Sequence, residues 1–241
     1  MVKYAVLDLD GTLLRGVLGT RFLEDLIEDG VCDKDEGLAC LRAIRGYASG
    51  GNSRRQAMTE AYQAYAKALR GATVAEAGET AARTWRACRD ELFPFAEQLI
   101  DLFKRYRYRI VLVSGNSDLP LREAVDDLGL HSGYGARLAE SGGRFTGELL
   151  STPGLPGGKA AVVRELAAGG DVECGVAVAV GNGGIDAEVF THAGAAFAFE
   201  PDDELHALSS GRDWHVVDRE TILAACSEVL ADLNRPKEQE K

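Results

Sequence analysis

The sequence predicts an α/β protein, a parallel sheet flanked by helices with a purely helical unit set in after the first strand. Three observations carry that prediction. Short, mainly apolar runs at residues 4–9, 109–113 and 176–180 have the composition of strands buried on both faces. Each gives way to a turn containing Gly, Asn or Ser, followed by residues with helical periodicity. Lastly, about seventy residues of helical pattern separate the first strand from the next, far more than a βα connection uses. Such a block must form a unit of its own.

In chain order, residues 4–9 form the first strand, which Gly11 and Thr12 end. Apolar positions at helical spacing over 20–27, closed by Gly30, predict a helix, and 38–47 a second. A Ser/Gly/Asn loop at 49–53 follows, then helices at 54–69 and 74–92. Phe93, Pro94 and Phe95 return the chain to the sheet, and 96–106 is amphipathic, with Leu99, Ile100, Leu102 and Phe103 on one face. The second strand, 109–113, precedes a helix over 121–128 that Gly129 terminates. Residues 134–139 and 144–149 flank Ser141, Gly142 and Gly143 as a hairpin. A loop rich in Pro and Gly delivers Lys159 to the head of a helix over 160–167, and the strand at 176–180 opens into another helix through 190. Strands at 195–199 and 214–217 and a helix at 221–233 complete the reading. The expected division is an α/β core of residues 1–14 and 94–233, a helical cap of 15–93, and a frayed tail at 234–241.

A hydrophobic content of 46% and a charged content of 27% are those of an ordinary globular domain. The formal charge of −11 argues against a nucleic-acid or anionic-membrane surface, and makes any anion site depend on a few chosen cations. Cys32, Cys40, Cys88, Cys174 and Cys226 form no Cys-x-x-Cys pair and are odd in number, so reduced thiols are expected. Neither a basic-then-apolar leader nor a membrane-length apolar run is present in the sequence, and the expectation is a cytoplasmic monomer or homodimer.

The chemistry concentrates at Asp8 and Asp10, one residue apart at the carboxyl end of the first strand, where α/β sheets bind ligands. Two such carboxylates repel when ionised, and a hard divalent cation is the simplest remedy. Mg²⁺ would leave Asp8 as a nucleophile toward phosphorus and Asp10 to move the proton. Ser114 and Gly115, in a turn at the end of the second strand, suit phosphate oxygens. Lys159 stands at a helix start, where the dipole disfavours a cation unless an anion is near.

Asp8-x-Asp10-Gly11-Thr12 after an apolar strand resembles the first motif of the haloacid dehalogenase superfamily. The run 110–115, then Lys159, then 176–186 match that family's further motifs in order. Insertion of the helical unit between the first two motifs is similar to the phosphoserine phosphatase-like branch. The resemblance implies a Rossmann-like core with a C1-type α-helical cap, and a Mg²⁺-dependent phosphatase acting through an aspartyl-phosphate. A phosphotransferase using the same intermediate and a catalytically weakened binding protein are the alternatives.

The resemblance also implies that Ser114, Gly115 and Lys159 hold the phosphate and that Asp8, Asp10, Asn182 and Asp186 surround the metal. Asn182 stands where the branch has an Asp in Gly-Asp-Gly-x-Asn-Asp, and Ile185 replaces its Asn. An acidic residue shortly after the first motif has Val17 as its counterpart, with Arg15 close by and Arg54 at the start of a cap helix. Those two arginines are the expected substrate contacts. They point to a small phosphorylated metabolite that is acidic or polyhydroxylated rather than phosphoserine.

Overall fold

The computed structural model describes residues 3–48, 53–168 and 175–235. Seven strands form one sheet in the order β4-β3-β2-β1-β5-β6-β7. They are β1 (Tyr4–Leu7), β2 (Arg109–Ser117), β3 (Ser132–Ser141), β4 (Arg144–Ser151), β5 (Val176–Gly181), β6 (Ala193–Phe199) and β7 (His215–Val217). All neighbours run parallel except β3 and β4, which form the expected hairpin. The chain leaves β1 toward β2 and β3, then crosses back to β5 on the other side. β1 and β5 therefore flank the point where strand order reverses, the place where open sheets leave a crevice.

Alternate residues of the buried strands feed two different cores, as period-two side chains must. One holds Leu7, Ile110, Leu112, Val178, Val180 and Phe197 against α5 (Ala96–Arg105), α6 (Asp118–Asp127) and α10 (Ile222–Leu233). The other holds Val6, Val111, Val113, Ala179 and Ala198 against α7 (Gly158–Ala168), α8 (Ala187–Phe190) and Leu205 of α9 (Asp203–Ser209). Three layers result, with β1 central and covered on both faces.

The segment after β1 is helical: α1 (Leu18–Glu28), α2 (Lys34–Ala48), α3 (Arg54–Ala68) and α4 (Val74–Cys88), then a short 3₁₀ turn. Phe22, Leu26, Leu41, Ala61, Tyr65, Leu69 and Ala77 form its own apolar cluster. Leu138 and Phe145 of the hairpin belong to the same cluster. The backbone of the α3–α4 loop pairs with that hairpin too: Gly71 N–H donates to Phe145 at 2.8 Å and Val74 N–H to Gly143 at 3.0 Å. Trp85 and Cys88 of α4 pack with the sheet's core, so α4 is shared between the two clusters.

Several expectations are corrected. The strand at 109–113 runs on to Ser117. A seven-residue helix, α9, was not anticipated, because only Leu205 and Ser209 of it are buried and no apolar periodicity develops. At the carboxyl end, Asn234 caps α10 and accepts a hydrogen bond from Lys3 Nζ at 2.7 Å, so the frayed tail does not begin there; residues 236–241 lie outside the described residues. Cys32, Cys40, Cys88 and Cys226 are free thiols, and Cys174 is likewise outside the described part. No helix among the described residues is long and apolar enough to cross a membrane.

Candidate active site

The site lies at the carboxyl ends of β1, β2 and β5. Asp8 and Asp10 follow directly on β1, whose Asp8 N–H donates to Val180 of β5 at 2.9 Å. Lys159, on the first turn of α7, is almost completely buried and donates to Asp8 Oδ1 at 2.7 Å and to Asp186 Oδ1 at 2.5 Å. The second oxygen of Asp186 accepts from the N–H groups of Asn182 and Gly183 at 3.0 and 2.9 Å. Both carboxylate oxygens of Asp186, which the resemblance sets beside the metal, are thus engaged, one by Lys159 and the other by two backbone N–H groups. Gly181 is required beside it, since a Cβ there would sit 2.4 Å from the Asp186 carboxyl carbon.

Asn182 faces the two aspartates from β5, its Oδ1 reached by the Thr12 hydroxyl at 3.4 Å, while that same hydroxyl lies 3.2 Å from Asp8 Oδ2. Gly11 passes beneath it with φ +73°, and a Cβ at that position would fall 2.2 Å from Asn182 Nδ2. Asp10 Oδ1 accepts from Leu18 N–H at 3.1 Å, at the first residue of α1. Ser114 is buried and its Oγ accepts from Asn116 N–H at 3.2 Å. The following helix is capped by Ser117 instead, which accepts from Leu119 N–H.

Burial raises both aspartates. It brings Asp8 to about 6 against the opposing pull of Lys159, with Asp186 pushing the same way as burial. It brings Asp10 to about 7, with the Asp8 charge adding to the rise. Burial would lower Lys159, but Asp186 and Asp8 outweigh it and hold the ammonium above its ordinary value. When all are ionised, Asp8, Asp10 and Asp186 against Lys159 leave two negative charges in a buried crevice. That imbalance and the donor set, two carboxylates and the Asn182 amide oxygen, fit a small divalent cation that prefers oxygen. Among the described residues no group of three or more His, Cys, Asp or Glu side chains converges as a metal cluster.

A cavity of about 310 Å³ opens above these groups and continues under α1, α2 and α3. Ser114, Gly115, Lys159, Asn182 and Asp186, singled out in the sequence, all line it with Asp8 and Asp10. Arg15 does not. Its Nε and Nη2 donate to the carbonyls of Glu91 and Asp90, which draws the guanidinium to the end of α4 and out of the cavity. Arg54 opens α3, and its side chain lies outside the described part.

Sequence reasoning did not single out Tyr62 and Asn116. The Tyr62 hydroxyl donates to the Gly115 carbonyl at 2.9 Å and accepts from Gly154 N–H at 2.9 Å, tying α3 to two loops of the sheet. Asn116 Oδ1 accepts from Gly19 N–H at 2.9 Å, and its buried Nδ2 has no partner of good geometry, though it lies close enough to Asp10 to help hold that carboxyl down. Its position, two residues past Ser114 at the end of an apolar strand, was the available signal.

With this geometry in view, a family model described as haloacid dehalogenase-like hydrolase matches residues 5–190. The chain belongs to that family. Among curated haloacid dehalogenase-like relatives, a phosphoserine phosphatase of Archaeoglobus fulgidus is 25% identical over 209 residues, covering 87% of this chain and 56% of the relative. One of Methanocaldococcus jannaschii is 29% identical over 104 residues, 43% of this chain and 49% of the relative. The chain therefore spans about half the length of these two relatives. Among solved structures, a Bordetella pertussis Tohama I protein of unknown function aligns over 91% of this chain and 99% of its own with a TM-score of 0.73 at 20% identity. A substrate-bound phosphoserine phosphatase aligns over 93% and 98% with a TM-score of 0.62 at 19% identity. At these identities the two structures establish the shared fold.

Proposed function

We propose that the protein is a Mg²⁺-dependent phosphoric monoester hydrolase working through an aspartyl-phosphate on Asp8. The observation that carries the reading is the Lys159 ammonium at 2.7 Å from Asp8 at the reversal point of the sheet, with Asp10 two residues on. The ammonium favours the ionised form of Asp8, the form that attacks phosphorus. As the Asp8–phosphorus bond forms and the ester bond breaks, Asp10 gives its proton to the leaving oxygen. It then takes a proton from the water that releases inorganic phosphate and restores Asp8. Ser114 and Lys159 would meet the equatorial oxygens.

Asp8, Asp10 and Asn182 would hold Mg²⁺, which when bound supplies the positive charge that phosphoryl transfer demands. The curated phosphoserine phosphatases support a small phosphorylated substrate. The helices α1 to α3 serve as the cap that closes over it, and the division into core and cap belongs to the same reading. Asp8→Asn tests the proposal. Phosphate release should fall by at least ~10³-fold while the far-UV spectrum and cooperative melting are unchanged. Wild-type rates in that variant would remove Asp8 from the mechanism.

A further inference from the structure

We infer that the alcohol part of the substrate is compact, apolar and uncharged, so that the site takes an alkyl or aryl phosphate rather than a phosphorylated amino acid or sugar. This rests on the phosphohydrolase reading and adds the identity of the leaving group.

Beyond the catalytic cluster, the wall of the cavity is built from Val17, Leu23, Ile44, Met58, Ala61 and Tyr62, brought there by α1, α2 and α3. Among the described residues, every Asp, Glu, Lys, Arg and His lining the cavity belongs to the Asp8, Asp10, Lys159 and Asp186 cluster. Among the described residues a substrate carboxylate would meet no cation there beyond Lys159, and a substrate ammonium no anion beyond the catalytic carboxylates. The two lining phenols are also committed, Tyr62 to Gly115 and Gly154, and Tyr65 to Ser117 at 2.6 Å. Cys40 adds a thiol that burial keeps protonated, its pKa pushed up to about 12. Beyond Thr20 and the Asn116 amide, a polyol would find few partners on this wall for its hydroxyls. An unpaired buried charge costs on the order of 100-fold or more in binding.

Volume sets the size of the body. An apolar cavity of roughly 150 Å³ holds one benzene. About 310 Å³ then accommodates the phosphoryl group and a body near the size of one ring or a short alkyl chain. Arg15, one of the two arginines behind the expectation of an acidic or polyhydroxylated ester, is held away from the cavity by the carbonyls of Glu91 and Asp90, and the side chain of the other, Arg54, lies outside the described part.

The test uses the full chain with Mg²⁺. Acetyl phosphate reads phosphoryl chemistry with almost no body; butyl and phenyl phosphate carry apolar bodies; O-phosphoserine and glucose 6-phosphate carry charged and hydroxylated ones. Expected kcat/KM for butyl or phenyl phosphate exceeds that for the last two by about 100-fold or more. Straight-chain alkylphosphonates, read as competitive inhibitors and as ligands that raise Tm, should bind about fourfold tighter per added methylene until the cavity is filled. Met58→Lys should flatten that dependence on length. Phosphonate affinity that is flat with length, or phosphoserine or the sugar ester consumed as fast as butyl phosphate, overturns this inference and leaves the hydrolase reading standing. No phosphate release from any of these compounds, acetyl phosphate included, removes both.

Discussion

Asn182 is the residue at which the chain departs in charge alone from the pattern Gly-Asp-Gly-x-Asn-Asp that it resembles. On the proposed reading its amide oxygen would keep the hardness of a carboxylate ligand, but a cation there would meet two formal charges instead of three. Replacing it by Asp changes no volume, and Thr12 can donate to the new oxygen as it does to the old at 3.4 Å. Asn182→Asp should therefore lower the Mg²⁺ concentration for half-maximal activity by about tenfold, since ligand charge sets affinity in such sites. Activity titrated against Mg²⁺ measures it, and an unchanged midpoint would exclude Asn182 from the first coordination sphere. Asp8, Asp10, Ser114 and Lys159 were legible because each breaks a local rule. Two acids sit at the end of an apolar strand, a hydroxyl ends another, and a cation stands at a helix start. The job of Asp186 was not legible, because its two oxygens are assigned by backbone N–H groups and a lysine 27 residues away, contacts that only the folded turn creates. Arg15 misled for the complementary reason. A basic residue near the first motif suggests an anion, but the guanidinium found carbonyl partners at the end of α4 first.

Between elements, the hydroxyl of Tyr62 is the contact by which α3 reaches the sheet's catalytic loops. Its carrier helix has apolar residues on most of its face, so the sequence shows a helix and hides which residue crosses to the core. Tyr62→Phe keeps the ring and removes a hydrogen bond from Gly115 and another from Gly154, leaving a carbonyl and an N–H without that partner. Each such loss costs about 1–3 kcal/mol where water cannot replace it. A Tm lowered by several degrees should accompany a larger loss in kcat than the drop in stability alone would give, because both loops border Ser114. If kcat holds while Tm falls, the tie is structural only. Gly181→Ala probes the opposite wall. Its Cβ would press on Asp186, so the Lys159 clamp must shift, at about 1–3 kcal/mol of overpacking and with a matching loss of turnover. The core strands and most helices were readable from apolar runs and periodicity. The short α9 and the extension of β2 to Ser117 were not, since they depend on tertiary pairing, as in the register of Ser117 with Ala136.

Across the whole molecule, an acidic chain of net charge −11 has set two carboxylates on one buried ammonium, with Asp10 nearby, at the point where its strand order reverses. Their burial makes the site a source of instability that a cation can relieve. Asp8 and Asp10 are held above the ordinary carboxylate value of 3.8, at about 6 and about 7, so in the metal-free fold they keep protons that the unfolded chain would release. Where the native state binds more protons than the unfolded one, stability falls as pH rises. The metal-free protein should accordingly lose Tm between about pH 4 and pH 7, by an amount on the order of several degrees for a chain of this length. On the proposed reading Mg²⁺ would bind the ionised pair and compete with those protons, so its stabilisation should be small at pH 5 and full at pH 8. Asp10→Asn removes one of the two titrating acids and should flatten the metal-free profile while weakening the Mg²⁺ response. Thermal melts across that pH range, with and without Mg²⁺, read all three effects in one experiment. An equal Mg²⁺ shift at pH 5 and pH 8 would mean that the ion acts elsewhere on the acidic surface, and that the charge imbalance of the crevice is met by some other group.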